Sequence, residues 1–236
     1  MGGRATFVGA IDGSAPCSPP SGPSRERVLS MQNYDVKKDL RNLFTAKKSF
    51  EVIDVPAMNF LMADGEGSPN TSQLYRDIVQ ALYATAYAVR ARAIDELGRK
   101  HTVGPLEGLW WSDDLRAFTS RDEDSWQWRL MIVQPAWITR DLFEAGLKQA
   151  IDKKDPTAAD RVRFDEFHEG PSVQVLHIGP YNEEAPTIAR MHDEYMPHHS
   201  LRPRGTHHEI YLSDARRTAP SRLRTILRQP VEPTGA

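Results

Sequence analysis

The stretch Gly205-Thr-His-His-Glu-Ile-Tyr-Leu-Ser-Asp214 decides the fold, because the earlier stretch Gly104-Pro-Leu-Glu-Gly-Leu-Trp-Trp-Ser-Asp113 aligns with it without gaps. A glycine opens each stretch, an apolar and aromatic run fills it, and Ser-Asp closes it. In this alignment Glu209 of the second copy matches Gly108 of the first. Two similar halves would bring these strands together, with a carboxylate on one side and empty space on the other. The pattern predicts a pocket.

The segments that flank the two stretches also occur twice, in the same order along the chain. We predict an α+β fold of two ββαββ units, the first over about 45–138 and the second over about 158–232. The alternative is the loose repetition that any α+β protein shows, but the matching landmarks keep the same order. The predicted hairpins pair 50–55 with 58–63 and 160–167 with 173–178. The predicted helices span about 72–97, 140–151 and 185–196.

The first of these helices has the clearest pattern. Its apolar face repeats at intervals of three and four residues, as an amphipathic helix requires. Thr71 or Ser72 is the predicted cap at its start, and Gly98 ends it. Alanines are frequent along it, which would let it lie close against a sheet. The residues of its apolar face are Leu74, Ile78, Leu82, Thr85, Val89 and Ala93.

The composition sets bounds on function. A net charge of −2 gives no global field that would recruit nucleic acid or a membrane surface. No apolar run is long enough to span a bilayer. Cys17 is the single cysteine of the 236 residues, so no intramolecular disulfide can form and a cytoplasmic location is expected. Residues 1–30 are rich in Gly, Ser and Pro and are predicted to be a disordered leader.

The second half also resembles a known family. The stretches that carry the resemblance are Gly179-Pro-Tyr-Asn-Glu-Glu-Ala-Pro-Thr-Ile188, Met191-His192, the Gly205 stretch through Arg217, and Leu223-Arg-Thr-Ile-Leu227. They are similar to the gyrase-inhibitor-like (GyrI-like) small-molecule-binding proteins, which include the effector-binding domains of multidrug-responsive transcription regulators. The resemblance covers about 31–230. Ala215 departs from it, since proline usually follows Ser-Asp in the stand-alone members.

The resemblance implies a particular architecture and activity. The fold would have pseudo-twofold symmetry, a curved antiparallel sheet backed by two long helices, and a hydrophobic cleft on the symmetry axis. Residues 1–30 cannot hold a helix-turn-helix, so the chain resembles the stand-alone branch. Some members of that branch hydrolyse cyclopropane-bearing genotoxins with a glutamate and a tyrosine in an aromatic cleft. Others in the superfamily only bind or sequester ligands.

By alternation along the Gly205 strand, Glu209 and Tyr211 face the cleft, whereas Ile210 and Leu212 face the helices. A carboxylate among aromatic rings is desolvated, which raises its pKa and suits a general base. The plainer interpretation of Glu209 is an exposed strand residue or a partner of a nearby arginine. The family resemblance favours the base. It likewise assigns Tyr181, in a Gly-Pro loop, to a hydrogen bond with the leaving oxyanion, although this tyrosine could simply pack the loop.

Tryptophans supply the candidate ligand contacts. Trp110, Trp111 and Trp137, together with Tyr211, are predicted to contact a flat ligand, although tryptophans in strands are more often core residues. No metal or cofactor is expected, because His207 and His208 point to opposite faces of a strand and no metal-binding motif is present. The arginines of the C-terminal segment indicate a solvated basic face with local salt bridges. Glu183 and Glu184 are interpreted as the acidic start of a helix.

Together these features favour a cytoplasmic, detoxifying hydrolase of cyclopropane-bearing molecules, with Glu209 activating water and Tyr181 stabilising the oxyanion. The alternative is a non-enzymatic protein that binds or sequesters lipophilic drugs or effectors. The partner in either case is a hydrophobic or aromatic small molecule. A module that shields a protein such as gyrase has no distinctive feature in this sequence.

Overall fold

The computed structural model describes residues 33–112 and 125–235. The leader predicted over 1–30 lies outside the described residues. The strands are β1 Asn33–Asp35, β2 Glu51–Val55, β3 Met58–Glu66, β4 Lys100–Thr102, β5 Leu106–Trp111, β6 Gln127–Gln134, β7 Arg163–Phe167, β8 Gly170–Ile178, β9 Leu201–Pro203, β10 His207–Tyr211 and β11 Arg224–Pro233. The helices are α1 Val36–Asp39, α2 Arg41–Phe44, α3 Gln73–Leu97, α4 Arg140–Lys154, α5 Ala185–Arg190, a π-helical turn Met191–Tyr195 and α6 Met196–His198.

A large antiparallel sheet forms the centre of the described residues. Its strand order is β2-β8-β11-β10-β5-β6-β3-β7, and β9 adds to the far end of β11. A separate short parallel pair joins β1 and β4. The α+β class with an antiparallel sheet is therefore confirmed.

The predicted hairpins are wrong. β2 pairs with β8 and β3 pairs with β7, so each supposed hairpin strand has a partner in the other half of the sequence, and β3 pairs with β6 of its own half on its second edge. The connection at Pro56 is short enough for a hairpin, yet β2 and β3 lie at opposite ends of the strand order. Local alternation identified the strands, but pairing depends on which edge is available in the folded sheet.

Helix α3 matches its prediction closely. The Ser72 hydroxyl accepts a hydrogen bond from the backbone N–H of Tyr75, and Gly98 adopts a left-handed conformation with φ of 61° that ends the helix. Five of the six predicted apolar-face residues are buried, and Leu74 is partly buried. Small residues also let α4 approach: a Cβ on Gly146 would lie 2.6 Å from a methyl of Val89.

The two faces of the sheet are covered differently. One core unites α3 and α4 with β3, β5 and β6, and another unites 185–198 with β8 and β11 on the same face. The opposite face packs against α1 and α2. Ile210 and Leu212 were expected to meet the long helices, and this expectation is wrong, because they pack toward α1 and α2. The long helices instead lie on the face of Glu209 and Tyr211.

The predicted helix over 185–196 is present but irregular. α5 passes into the π-helical turn Met191–Tyr195 and then into α6. Met191 and Met196 are buried against β8 and β11, with Ile188 and Tyr195 partly buried beside them. π-Helical turns are often found at functional sites. This one places His192 on the sheet face that also carries Glu209 and Tyr211. No helix among the described residues has the length and apolarity to cross a bilayer.

Candidate functional site

The central strands β5 and β10 form the floor of a cleft. Glu209 pairs with Gly108 in their antiparallel register, and Trp110 pairs with His207. Because residues directly opposite share a face, the side chains of Trp110, His207, Glu209 and Tyr211 all emerge on the side of the long helices. The Glu209 side chain is only 15% exposed.

A chain of hydrogen bonds crosses this floor. The Trp110 indole Nε1 donates to the Tyr211 hydroxyl at 3.1 Å, and that hydroxyl donates to Glu209 Oε2 at 2.8 Å. The expected gap at Gly108 is not empty, since a Cβ there would lie 2.8 Å from Trp110 Nε1 and 3.3 Å from the Tyr211 hydroxyl. The missing side chain therefore gives the indole room to reach across to Tyr211.

Two helical walls enclose this floor. Tyr75, Val79 and Tyr83 of α3 line one wall, and Ile188 and His192 of 185–198 line the other. The cleft between them has a volume of about 2070 Å³. Aromatic contacts fix its inner end, where Tyr75 stacks on Trp110 at a centroid distance of 6.4 Å. Such a groove is larger than a typical small-molecule pocket of about 300–1,000 Å³, and its aromatic and apolar lining suits a hydrophobic ligand.

Burial shapes the electrostatics of the cleft. Desolvation raises the pKa of Glu209 to about 7, although the Tyr211 hydroxyl and His208 oppose that rise. Desolvation, with the like charge of Glu209, raises the pKa of Glu184 to about 9. Glu184 is 3% exposed and lines the same cleft. The sequence interpretation treated it only as the start of a helix, so this second carboxyl was missed.

Tyr181 lies at the rim of the cleft, at the start of the short 3-10 turn Tyr181–Glu183 that precedes α5. Its ring meets the Tyr211 ring edge-on at 5.5 Å between centroids, and the residue is 40% exposed. Among the described residues its hydroxyl has no hydrogen-bond partner, which leaves it available to a ligand. Desolvation and the charges of Glu184 and Glu209 raise its pKa to about 12, so this hydroxyl keeps its proton and acts as a donor.

The two neighbouring histidines serve different faces. His207 lies 3.7 Å from Glu209 Oε1 in the cleft, but desolvation lowers its pKa to about 3, so the pair is no salt bridge at neutral pH. His208 lies on the opposite face, 3.1 Å from Glu169 and 3.2 Å from Glu107. Although desolvation lowers its pKa, Glu169 and Glu107 outweigh this and raise it to about 9.

An arginine completes the charged cluster on the opposite face. Arg228 was expected on a solvated basic surface, and this is wrong: it is 1% exposed, donates to Glu169 at 3.1 Å and also bonds Gln174. Its position on the inward face of β11 explains the burial. Other arginines of this segment do form surface pairs, such as Arg202 with Glu232 and Arg216 with Asp214.

The comparison with protein-family models decides the relationship. Residues 48–232 match the model of the GyrI-like small molecule binding domain. The chain belongs to the GyrI-like family. A sequence search finds no match among curated proteins.

Solved structures of GyrI-like size and fold include close relatives from Listeria innocua. An uncharacterized conserved protein from this organism is 39% identical, with a TM-score of 0.77, and the match covers 84% of this chain and all of the other. A protein described as a hydrolase is 37% identical, with a TM-score of 0.73 and the same coverage. A further hydrolase structure is 37% identical, with a TM-score of 0.75, and the match covers 85% of this chain and all of that one.

Within this GyrI-like domain, the remaining predicted tryptophans are placed apart from Trp110. Trp111 points to the opposite face, where its Nε1 donates to Gln127 at 2.7 Å, although part of the residue borders the cleft. Trp137 is not among the cleft-lining residues, because it packs against His101 and beneath the Arg99 guanidinium. The residues brought together are thus Glu209, Tyr211, Trp110 and Tyr181.

Proposed function

We propose that this GyrI-like domain binds flat, hydrophobic molecules in its aromatic cleft and hydrolyses cyclopropane-bearing genotoxins, as a detoxifying enzyme of the cytoplasm. The observation that carries the proposal is Glu209. Only 15% of this side chain is exposed beside the aromatic rings, and among the described residues no group that is cationic at neutral pH pairs with it. The 37% identity to proteins described as hydrolases, over their whole length, supports a hydrolytic reaction.

The reaction uses the two polar groups of the cleft in different ways. Glu209 takes a proton from a water molecule, whose oxygen attacks a methylene carbon of the strained ring. One carbon–carbon bond of the ring breaks, and its electron pair moves through the conjugated system to a carbonyl oxygen. The Tyr181 hydroxyl donates a hydrogen bond to that oxygen as it becomes negative. A substrate suited to this step is a cyclopropane fused to a conjugated dienone.

The surroundings of Glu209 match what a base requires. A base works best when its pKa lies near the operating pH, and burial moves this carboxyl toward neutrality. A positioned base contributes about 10²- to 10⁴-fold in rate. The bond from Tyr211 fixes Oε2, which leaves Oε1 to receive the proton of water. The rings of Trp110 and Tyr75 supply flat surfaces beside it.

Turnover of a spirocyclopropyl dienone to its ring-opened hydroxyethyl phenol tests the proposal directly. We expect Glu209→Gln to lower kcat by about 10²-fold or more and Tyr181→Phe by about 10-fold or more. Glu183→Gln is the matched control for the first, since Glu183 is exposed and does not line the cleft. Tyr195→Phe is the control for the second, since its ring packs on Phe50. Full activity in Glu209→Gln would refute the assignment.

The same geometry supports a second candidate function, a non-enzymatic binder of lipophilic cations or effectors. An ionised Glu209 within aromatic faces attracts a cation both by charge and through the rings. Titration with benzyltriethylammonium, followed by tryptophan fluorescence, distinguishes this function. Stoichiometric binding that weakens in Glu209→Gln, with no product from the dienone, would leave binding as the function.

We also infer that the two halves, about 45–138 and 158–232, descend from a duplicated ββαββ unit with pseudo-twofold symmetry. The strand order supports this, because exchanging β2 with β7, β3 with β8, β5 with β10 and β6 with β11 reverses the order and reproduces it. The aligned residues Gly108 and Glu209 also pair with each other, as a twofold axis between them requires. The asymmetry of that pair then gives the cleft a single carboxylate on its axis.

A further inference from the structure

Glu184 is a second carboxyl in the cleft, with no part in the mechanism above. It directly precedes α5, is 3% exposed and lines the cleft together with Glu209, Tyr181 and Tyr211. Its Oε1 is buried and has no hydrogen-bond partner among the described residues. A buried carboxyl oxygen without a partner is costly when ionised, and much less so when protonated.

The groups that surround Glu184 contain no compensating cation. β10 presents Glu209 and Tyr211, β11 presents the Thr225 hydroxyl, and the preceding loop presents Tyr181. Within residues 33–112 and 125–235 no lysine, arginine or histidine forms an ion pair with it. Of the histidines on this face, desolvation lowers the pKa of His207 to about 3 and also lowers that of His192, and His177 forms no ion pair with Glu184. The buried cations, His208 and Arg228, lie across the sheet beside Glu169.

Two buried carboxyls without a cation cannot both be ionised at little cost, so the pair retains a proton at neutral pH. Glu184 is 3% exposed, against 15% for the Glu209 side chain, and its Oε1 has no partner among the described residues, although the Thr225 hydroxyl lowers its pKa as the Tyr211 hydroxyl lowers that of Glu209. The shared proton therefore resides mainly on Glu184, which leaves Glu209 as the base. Two carboxyls whose surroundings separate their pKa values in this way form an acid and base pair.

We propose that Glu184 is the proton donor of the hydrolysis, delivering its proton to the oxygen that becomes negative when the ring opens. This inference rests on the proposed function. The water proton goes to Glu209, the ring electron pair goes to the dienone oxygen, and the Glu184 proton converts the phenolate to a phenol. The site is restored when the proton gained by Glu209 passes back to Glu184, so one water is consumed and one phenol is released.

Glu184 and Tyr181 act differently on the oxygen because their acidities differ. A phenol has a pKa of about 10, and Tyr181 is a weaker acid still, so this tyrosine stabilises a phenolate by hydrogen bonding without giving up its proton. With a pKa of about 9, Glu184 remains a stronger acid than a phenol with a pKa of about 10. Proton transfer from Glu184 to the phenolate is therefore downhill.

Glu184→Gln tests the proposal, because glutamine keeps the shape and can donate a hydrogen bond but cannot supply a proton. With the spirocyclopropyl dienone we expect kcat to fall about 10²-fold or more. Dienones bearing electron-withdrawing substituents release a less basic phenolate, so the loss should shrink along such a series. A merely structural role would lower kcat by the same factor for every substrate. Glu183→Gln is the neighbouring control and should retain wild-type rates.

Infrared difference spectroscopy with ¹³C-labelled glutamate gives a readout that needs no turnover. At pH 8, where Glu209 is mostly ionised and Glu184 is not, the wild-type protein should show a protonated-carboxyl stretch that is lost in Glu184→Gln and kept in Glu183→Gln. Absence of that band in the wild type would overturn the assignment of the proton to Glu184.

The two ideas fail in different ways. If the wild type does not open the dienone, the hydrolase function is wrong, and the role of Glu184 falls with it. If the wild type is active while Glu184→Gln is equally active, or is impaired equally across the substituent series, the hydrolase function stands and only the proton donor is wrong.

Discussion

Replacing Glu209 by glutamine should make the folded protein more stable at high pH, although it removes the proposed base. In the folded state this carboxyl is buried and holds its proton more tightly than in the unfolded chain. Between the two pKa values the unfolded form is ionised and the folded form is not. Glu209 therefore destabilises the fold increasingly as the pH rises, and the neutral glutamine does not.

The magnitude follows from the displacement of the pKa. The pKa of Glu209 rises from an ordinary 4.5 to about 7. At about 1.4 kcal/mol per unit of pKa, the full effect is about 3 kcal/mol. The stability is unaffected below pH 4.5, where the residue is protonated in both states, and the loss is complete above pH 7. Glutamine preserves an acceptor for the Tyr211 hydroxyl, so this bond contributes little to the difference.

Urea unfolding of the wild type and Glu209→Gln at pH 4.5 and pH 8.5 provides the assay. The free energy of unfolding should be similar for the two proteins at the lower pH, and the variant should be about 3 kcal/mol more stable at the higher one. Glu183→Gln should show no such dependence, since Glu183 is exposed. A variant that is equally stable or less stable at pH 8.5 would refute a buried, uncompensated Glu209.

Three further outcomes are expected. Activity toward the dienone should rise as the pH passes through about 7, when Glu209 loses its proton, and stopped assays from pH 5 to 8 would show a flat profile if this is wrong. Gly108→Ala should lower stability by about 1–3 kcal/mol and weaken ligand binding, because its Cβ displaces the Trp110 indole; unchanged fluorescence and urea midpoint would contradict this. His208→Leu should lower the free energy of unfolding by about 3–5 kcal/mol at pH 7, because Glu169 loses a buried cation. A loss below about 1 kcal/mol would show that the contact between His208 and Glu169 does not stabilise the fold.

Local sequence patterns were sufficient for the elements but not for their connections. The 25-residue helix α3 could be predicted because its spacing, its Ser72 cap and Gly98 all act within a few residues. The pairing of β2 with β8 could not, since it joins residues far apart in sequence and depends on which strand edges remain open. The sequence pattern also placed Glu209 and Tyr211 on one face, as strand alternation requires.

The parts of the site that sequence missed depend on burial. Glu184 and Glu183 are indistinguishable in the sequence, yet one is buried in the cleft and the other exposed. Only the direction of the loop before α5 separates them. The burial of Arg228 is similar, because its contacts come from Glu169 and Gln174 on other segments. The alternation along β11 could have indicated this burial, because it places Arg228 on the sheet face opposite to that of Leu227.

Strand β10 shows why the cleft can hold uncompensated carboxyls. On the sheet face away from the cleft, His208 lies beside Glu107 and Glu169, and Arg228 pairs with Glu169. Two acidic and two basic side chains are therefore buried together there. On the cleft face Glu209 has only a hydroxyl as partner. Desolvation of Glu209 outweighs the charge of His208 across the sheet, which lowers the Glu209 pKa. The cleft carboxyls thus keep their raised pKa values and can exchange protons with a bound molecule near neutral pH.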